Sequence, residues 1–204
     1  MSEQIDWIVD IEATAEEAPV LAQNVLTMLR EKNIVGEARR NDFSDSCCYP
    51  TLPGASDPAF FDREKATYVM DFQWSEKEET FEPMIRSILE VSSYLTIDTE
   101  PRNVFHTGEY GTDKIICPAC GKEFDPDEIP WIDAAAAWSR DDGSDDTLTC
   151  DSCGHHGPVT EWRLEPEWGF GNLGFAFHWP ITENLVREIQ GILGHRIKQI
   201  STLV

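Results

Sequence analysis

The chain has 204 residues and carries 38 Asp plus Glu against 16 Lys plus Arg, for a formal net charge of −22. That surplus argues against ordinary DNA or RNA binding, where Lys and Arg must displace counterions from phosphates, and against anionic membrane surfaces. Hydrophobic residues make up 41% of the chain, enough for one domain of ordinary size plus a small appended module; no apolar run approaches a membrane span, and no leader is read at the start, so a cytoplasmic location is expected.

Residues 5–11 read as a mixed apolar strand. Thr14 is expected to cap a helix, with Glu16 and Glu17 in its first turn, where negative charge suits the helix dipole. Pro19 is tolerated near that start. Leu21, Val25, Met28 and Leu29 recur at helical spacing. The helix is expected to end near Asn33, with Gly36 marking the exit. Residues 40–62, rich in Asp, Ser, Pro and Gly, read as one long surface loop, a type of segment that often carries function. Within it Cys47 and Cys48 are adjacent. Neighbouring cysteines neither pair nor share one ion without strain, so free thiols are expected, with a reactive thiol as the alternative. Residues 66–74 read as a second strand and residues 81–95 as a second helix, with Met84, Ile85, Ile88, Leu89 and Val91 near one face. Residues 103–106 read as a short strand.

Two cysteine pairs follow, Cys117-Pro118-Ala119-Cys120-Gly121 and Cys150-Asp151-Ser152-Cys153-Gly154. Two residues between cysteines let a tight turn place both sulfurs about 3.5–4 Å apart, as two vertices of a tetrahedron around Zn²⁺. The glycine stands where the turn must fold back, a place that favours positive φ. Cys117, Cys120, Cys150 and Cys153 therefore form the expected ligand set of one structural Zn²⁺. Four thiolates also permit an iron–sulfur cluster. A thioredoxin-type redox role for the first pair leaves the second unexplained, and disulfides would need an oxidising compartment. Four cysteines close the coordination shell, whereas catalytic zinc keeps a position open for water. His155 and His156 are expected in a solvated turn or behind the ligands. The segment between the pairs reads as having almost no hydrophobic core, so that the metal is what folds it. It includes residues 134–138, a short helix candidate, and the acidic run 141–146, which lacks the alternating ligands of a calcium loop and reads as a solvated turn.

Residues 168–180 begin as a glycine-rich turn and become an aromatic strand. Gly169-Phe170-Gly171-Asn172-Leu173-Gly174 matches G-x-G-x-x-G in letters, but a strand follows where a dinucleotide site needs a helix, so the glycines read as a turn that lets aromatics pack. Thr182 is expected to cap a helix ending at Gly194, and residues 195–204 a final strand. No Walker A loop, nucleophile elbow, zinc-protease helix or zinc-deaminase signature is present.

The order of elements suggests an α+β fold: helices on one face of a mostly antiparallel sheet, ferredoxin-like as one candidate. The expected division is 1–110 for the first part of the body, 111–160 for an inserted zinc ribbon and 161–204 for the closing strand-helix-strand. The segment Trp168-Gly169-Phe170-Gly171-Asn172-Leu173-Gly174-Phe175, the paired knuckles and the closing Gly194-His195-Arg196 together resemble a group of uncharacterised bacterial proteins, some labelled sugar ABC transporter ATPase. The resemblance covers the second half of the chain. It implies a bacterial protein of unknown role and transfers no catalytic residue; the missing phosphate-binding motifs argue against the label.

The leading expectation is a non-enzymatic protein-binding module, immunity-type or regulatory, whose partner has a basic surface, with no direct nucleic-acid or membrane contact. One alternative is an enzyme of unrecognised type with a site near Cys47 and Cys48 or between Trp168 and Trp179. Another is a transcription-associated ribbon using Arg187, Arg196 and Lys198.

Overall fold

A computed structural model describes residues 4–40, 47–62, 93–106 and 111–203, and its architecture is α+β. In chain order the described elements are β1 (Gln4–Asp10), α1 (Ala18–Glu31), β2 (Arg39–Arg40), β3 (Cys47–Pro50), β4 (Tyr94–Asp98) and β5 (Asn103–Phe105). Then come β6 (Lys114–Ile116), β7 (Glu123–Phe124), α2 (Trp131–Arg140), β8 (Thr147–Thr149), β9 (His156–Pro158) and β10 (Arg163–Glu165). The chain closes with β11 (Gly169–Gly171), β12 (Leu173–Phe177), α3 (Glu183–Leu193) and β13 (Ile197–Leu203).

The main sheet has six strands in the order β13-β1-β12-β4-β3-β2, each neighbour antiparallel to the next. Side chains alternate across it, as the two-residue strand period requires. Ile8, Leu95, Leu173, Phe175 and Phe177 face α1 and α3 in one buried cluster. Val9 and Ile200 face the other way and meet Phe105 of β5, with Trp7 beside them. Both helices lie on the first face because each carries an apolar stripe: Ala18, Ala22, Val25, Leu26 and Leu29 on α1, Leu185, Val186, Ile189 and Leu193 on α3. Each large side chain buried this way contributes about 1.5–3 kcal/mol.

Local chemistry sets the helix ends. Thr14 Oγ1 accepts the Glu17 N–H (3.2 Å) while the Glu17 carboxylate accepts the Thr14 N–H (3.0 Å), a reciprocal capping box. It closes a turn just ahead of the helix, which begins at Ala18. At the other end Asn33, not Gly36, is the left-handed residue (φ 57). The Ile34 N–H reaches Leu29 O and the Asn33 N–H reaches Arg30 O, a Schellman closure in which a short polar side chain replaces glycine. Thr182 caps α3 by accepting the Leu185 N–H at 3.3 Å, and Gly194 ends it at φ 70.

Two further expectations change. Residues 40–62 are not one loop: Cys48 pairs with Thr96 across β3 and β4, and Pro53–Ser56 forms a short 3₁₀ turn. The turn-forming residues there flank a strand, and Pro50 occupies its last position, where it interrupts no earlier pairing. The predicted strand 66–74 lies outside the described residues. So does the predicted helix 81–95, except at its end, where Tyr94 and Leu95 stand in β4.

Between β4 and β12 the chain leaves the sheet and builds a second packed unit. Ile115, Phe124, Trp131, Leu148, Trp162 and Leu164 are buried together there with Cys117, Cys150 and Phe170. The expectation of almost no core is therefore overturned. Apart from the stripe of Trp131, Ala134 and Ala135 on α2, its apolar residues lie far apart in sequence on strands of two or three residues, where no helical or strand period can show. Arg102 ties this unit to the body. Its N–H donates to Asn172 Oδ1 (2.8 Å), and Asn172 Nδ2 donates to Ala13 O (2.7 Å). Its guanidinium lies 4.9 Å over the Trp138 ring and 3.0 Å from Asp141. Among the described residues no helix is long and apolar enough to cross a membrane.

Candidate metal centre

Each cysteine pair tips a β-hairpin. β6 and β7 flank the first pair, and β8 and β9 flank the second. The two turns share one hydrogen-bond pattern. In the first, the Cys117 N–H donates to Lys122 O (2.9 Å) and the Gly121 N–H to Cys117 O (3.0 Å). In the second, the Cys150 N–H donates to His155 O (2.8 Å) and the Gly154 N–H to Cys150 O (2.9 Å). Gly121 and Gly154 have φ of 73° and 74°, with open space where a Cβ would stand. The demand for glycine is thus conformational, not steric.

The hairpins bring all four sulfurs within 4.8 Å of one another. Cys117 Sγ lies 3.8 Å from Cys153 Sγ, and Cys120 Sγ 3.7 Å from Cys150 Sγ. A regular tetrahedron with metal–sulfur bonds near 2.3 Å has edges of ~3.8 Å. Two of the six edges match that length, and the four cysteines could hold a metal ion. Cys117 and Cys150 are buried in the core of the unit, whereas Cys120 and Cys153 are exposed.

The backbone is arranged to receive negative sulfur. Burial pushes the Cys150 thiol up, but N–H groups of Cys153 and Ser152 and hydrogen bonds from the Cys153 and Cys117 thiols outweigh it and hold it at about 7. The His155 N–H favours a thiolate at Cys153, yet burial and the hydrogen bonds to Cys120, Cys150 and Cys117 push that thiol up to about 12. Without a cation, one sulfur ionises readily and another resists, because thiolates this close repel. A bound divalent cation removes that conflict and keeps coordinating thiols deprotonated. The donor set, soft and four-fold, fits zinc. Lys122 of the first turn holds Asp151 of the second at 2.5 Å, a cross-brace beside the sulfurs.

His155 and His156 do not join the sulfur cluster. His156 Nδ1 lies 2.9 Å from Thr149 Oγ1, and the His155 ring stands 5.9 Å from that of Trp162, its Nε2 buried rather than solvated. The acidic run 141–146 is a set of turns: Asp142 accepts the Ser144 N–H, Asp145 accepts the Thr147 N–H, and Asp141 and Asp146 face Arg102.

The other candidates are dispersed. Cys48 is a buried free thiol in β3. The stretch between Trp168 and Trp179 forms β11 and β12 in two different sheets, with no helix after the glycines. A Cβ on Gly171 would meet Asp10 O at 2.5 Å, and one on Gly174 the Phe105 ring at 2.4 Å. These glycines let the β5–β11 hairpin lie against the main sheet. Arg196 pairs with Glu12 (2.6 Å), Lys198 with Glu167 (2.5 Å), and Arg187 donates to Glu183 O.

One polar pair escaped the sequence reading. Asp10 is fully buried and accepts the N–H groups of Glu12 and Ala13. Its other oxygen lies 2.9 Å from His195 Nδ1. That bond, aided by Glu17 and Glu12, raises the histidine above its ordinary value. The partners are 185 residues apart, so no local signal announces them.

Comparisons with protein-family models, with curated proteins and with solved structures find no match for this chain.

Proposed function

We propose that this chain is a non-enzymatic, cytoplasmic bacterial protein-binding module, immunity-type or regulatory, stabilised by one structural zinc on Cys117, Cys120, Cys150 and Cys153. The observation that carries the reading is that four cysteine sulfurs lie within 4.8 Å of one another, enough protein donors to fill a tetrahedral shell. Zinc bound there supplies a cross-link between the two hairpins and neutralises part of the thiolate charge. The residues do the rest: the N–H groups of Ser152, Cys153 and His155 orient and stabilise the sulfurs, and Lys122 braces one turn to the other.

The strand order β13-β1-β12-β4, with α1 after β1 and α3 before β13, supports a ferredoxin-like frame. In that reading the zinc ribbon of residues 111–160 is inserted between its second and third strands. The partner is a protein with a basic surface. A charge of −22 steers such a partner to this chain and repels nucleic acid. The pairing of Arg196 and Lys198 with carboxylates further weakens the case for a nucleic-acid contact.

Elemental analysis of the purified protein tests the centre. One zinc per chain is expected, lost in Cys117→Ser and Cys150→Ser. Cobalt substitution is expected to produce the absorption of a tetrahedral thiolate site. Absence of metal, bound iron, or a coordinated exchangeable water would overturn the assignment.

A further inference from the structure

Between the two cysteine turns the chain runs through residues 126–133 around a shallow concavity of about 440 Å³. Ile129 and Trp131 line it and are themselves buried in the core of the unit. Ile132 also lines it and is 64% exposed, the more exposed of the two large hydrophobic side chains that face solvent among the described residues. The platform is stiff. Pro126 and Pro130 restrict the backbone, and Trp131 packs edge-on against Trp168 with ring centroids 4.9 Å apart. An exposed aliphatic side chain on a stiff, concave surface is suited to burial by a partner, because little ordering entropy is lost when it docks.

The rim is acidic. Asp127, Glu128 and Asp133 line the same concavity and are exposed. Glu128 uses one carboxylate oxygen on the Asp125 N–H (3.0 Å). Lys122, whose charge Glu128 feels, is held by Asp151. Neither Asp127 nor Asp133 has an ion pair among the described residues.

We propose that this concavity docks a short segment of a partner protein in which an aliphatic side chain is flanked by Lys or Arg. The aliphatic group covers Ile132, and the cations face Asp127, Glu128 and Asp133. Charge complementarity selects this occupant over a second copy docked through the same face, which would bring the same three carboxylates to the contact. The proposal rests on the reading of the chain as a module for a basic partner, and adds where that partner binds and what it must present.

The test uses the metal-loaded full chain and three capped hexapeptides: Lys-Lys-Leu-Leu-Lys-Lys, its counterpart with both leucines replaced by serine, and its counterpart with all lysines replaced by glutamate. Amide NMR shifts are followed at about 0.15 M salt, where loose surface attraction is screened. The leucine–lysine peptide is expected to saturate at one equivalent and to shift residues 126–133, while the other two do not. Ile132→Asp and Asp133→Lys, both at exposed positions, are each expected to weaken it roughly tenfold with metal content unchanged. If the shifts map elsewhere, or both variants bind as well as the parent, this site is wrong while the basic-partner reading stands. If no basic peptide binds anywhere, both fall. If Ile132→Asp instead turns an associated chain into a monomer, the occupant is a second copy and the proposal is overturned.

Discussion

The body and the metal unit bury apolar side chains by different means. In the body, α1 has 14 residues and α3 has 11, long enough to repeat an apolar stripe and cover one face of a six-stranded sheet. In the metal unit the strands have two or three residues each and α2 has 10. Trp131, Trp162, Phe124 and Leu148 still form a real core, but two of its members are Cys117 and Cys150 of the sulfur cluster. Among the described residues β8 and β9 pair only with each other, and a two-stranded hairpin is marginal in water; β6 and β7 gain β10 as a third strand. On the proposed reading, the core and a bound metal ion order one another. A cysteine turn can sit inside a hydrophobic cluster rather than substitute for one.

Removing the metal is the severest way to break that contrast. Apparent binding energies of structural zinc in finger peptides run to about 10–16 kcal/mol. Chelation or Cys150→Ser is expected to melt the metal unit, seen as loss of near-UV tryptophan signal. Amide protection of β1, β12 and β13 should persist. Loss of protection in the sheet during the same step would show that the two units are one cooperative body.

Phe175→Ala probes the other side. This ring is fully buried between sheet and helices, and its removal should cost about 3–5 kcal/mol. Denaturant titration should show that loss, with metal retained until the body unfolds. Early release of metal would mean that the hairpins depend on the sheet.

The seam between the regions responds less. In Gly174→Ala the new Cβ meets the Phe105 ring at 2.4 Å, and the required shift should destabilise by about 1–3 kcal/mol. A neutral result would mean that the β5–β11 hairpin moves freely on the sheet.

The smallest effect depends on pH. Asp10 raises His195 above its ordinary value, so the bond's contribution is complete below about pH 6.5 and fades as pH rises through the raised folded value. His195→Ala should lower stability by about 1–2 kcal/mol near pH 5.5, with the deficit shrinking in alkali. A deficit that does not change with pH would show that the ring acts by packing alone.

The positions read most accurately from the chain were those governed by neighbours within one turn. The C-x-x-C-G turns, Thr182 with Gly194, and residues 134–138 as helix are such cases, because a cap or a positive φ depends only on a few adjacent atoms. The first helix does end near Asn33 as expected, but the left-handed residue that closes it is Asn33 itself rather than Gly36. The strand at Cys48 was hidden by the prolines and serines around it.

By itself the sequence determined the four converging cysteines, the acidic surplus and the helix stripes, because each is written in spacing or composition. Tertiary structure alone decided that Trp131, Trp162 and Phe170 share a core, that Asp10 meets His195, and that Gly174 lies under Phe105. Those contacts join residues up to 185 positions apart. They follow from which faces meet when sheet, hairpins and helices pack, and no local window of the chain contains that information.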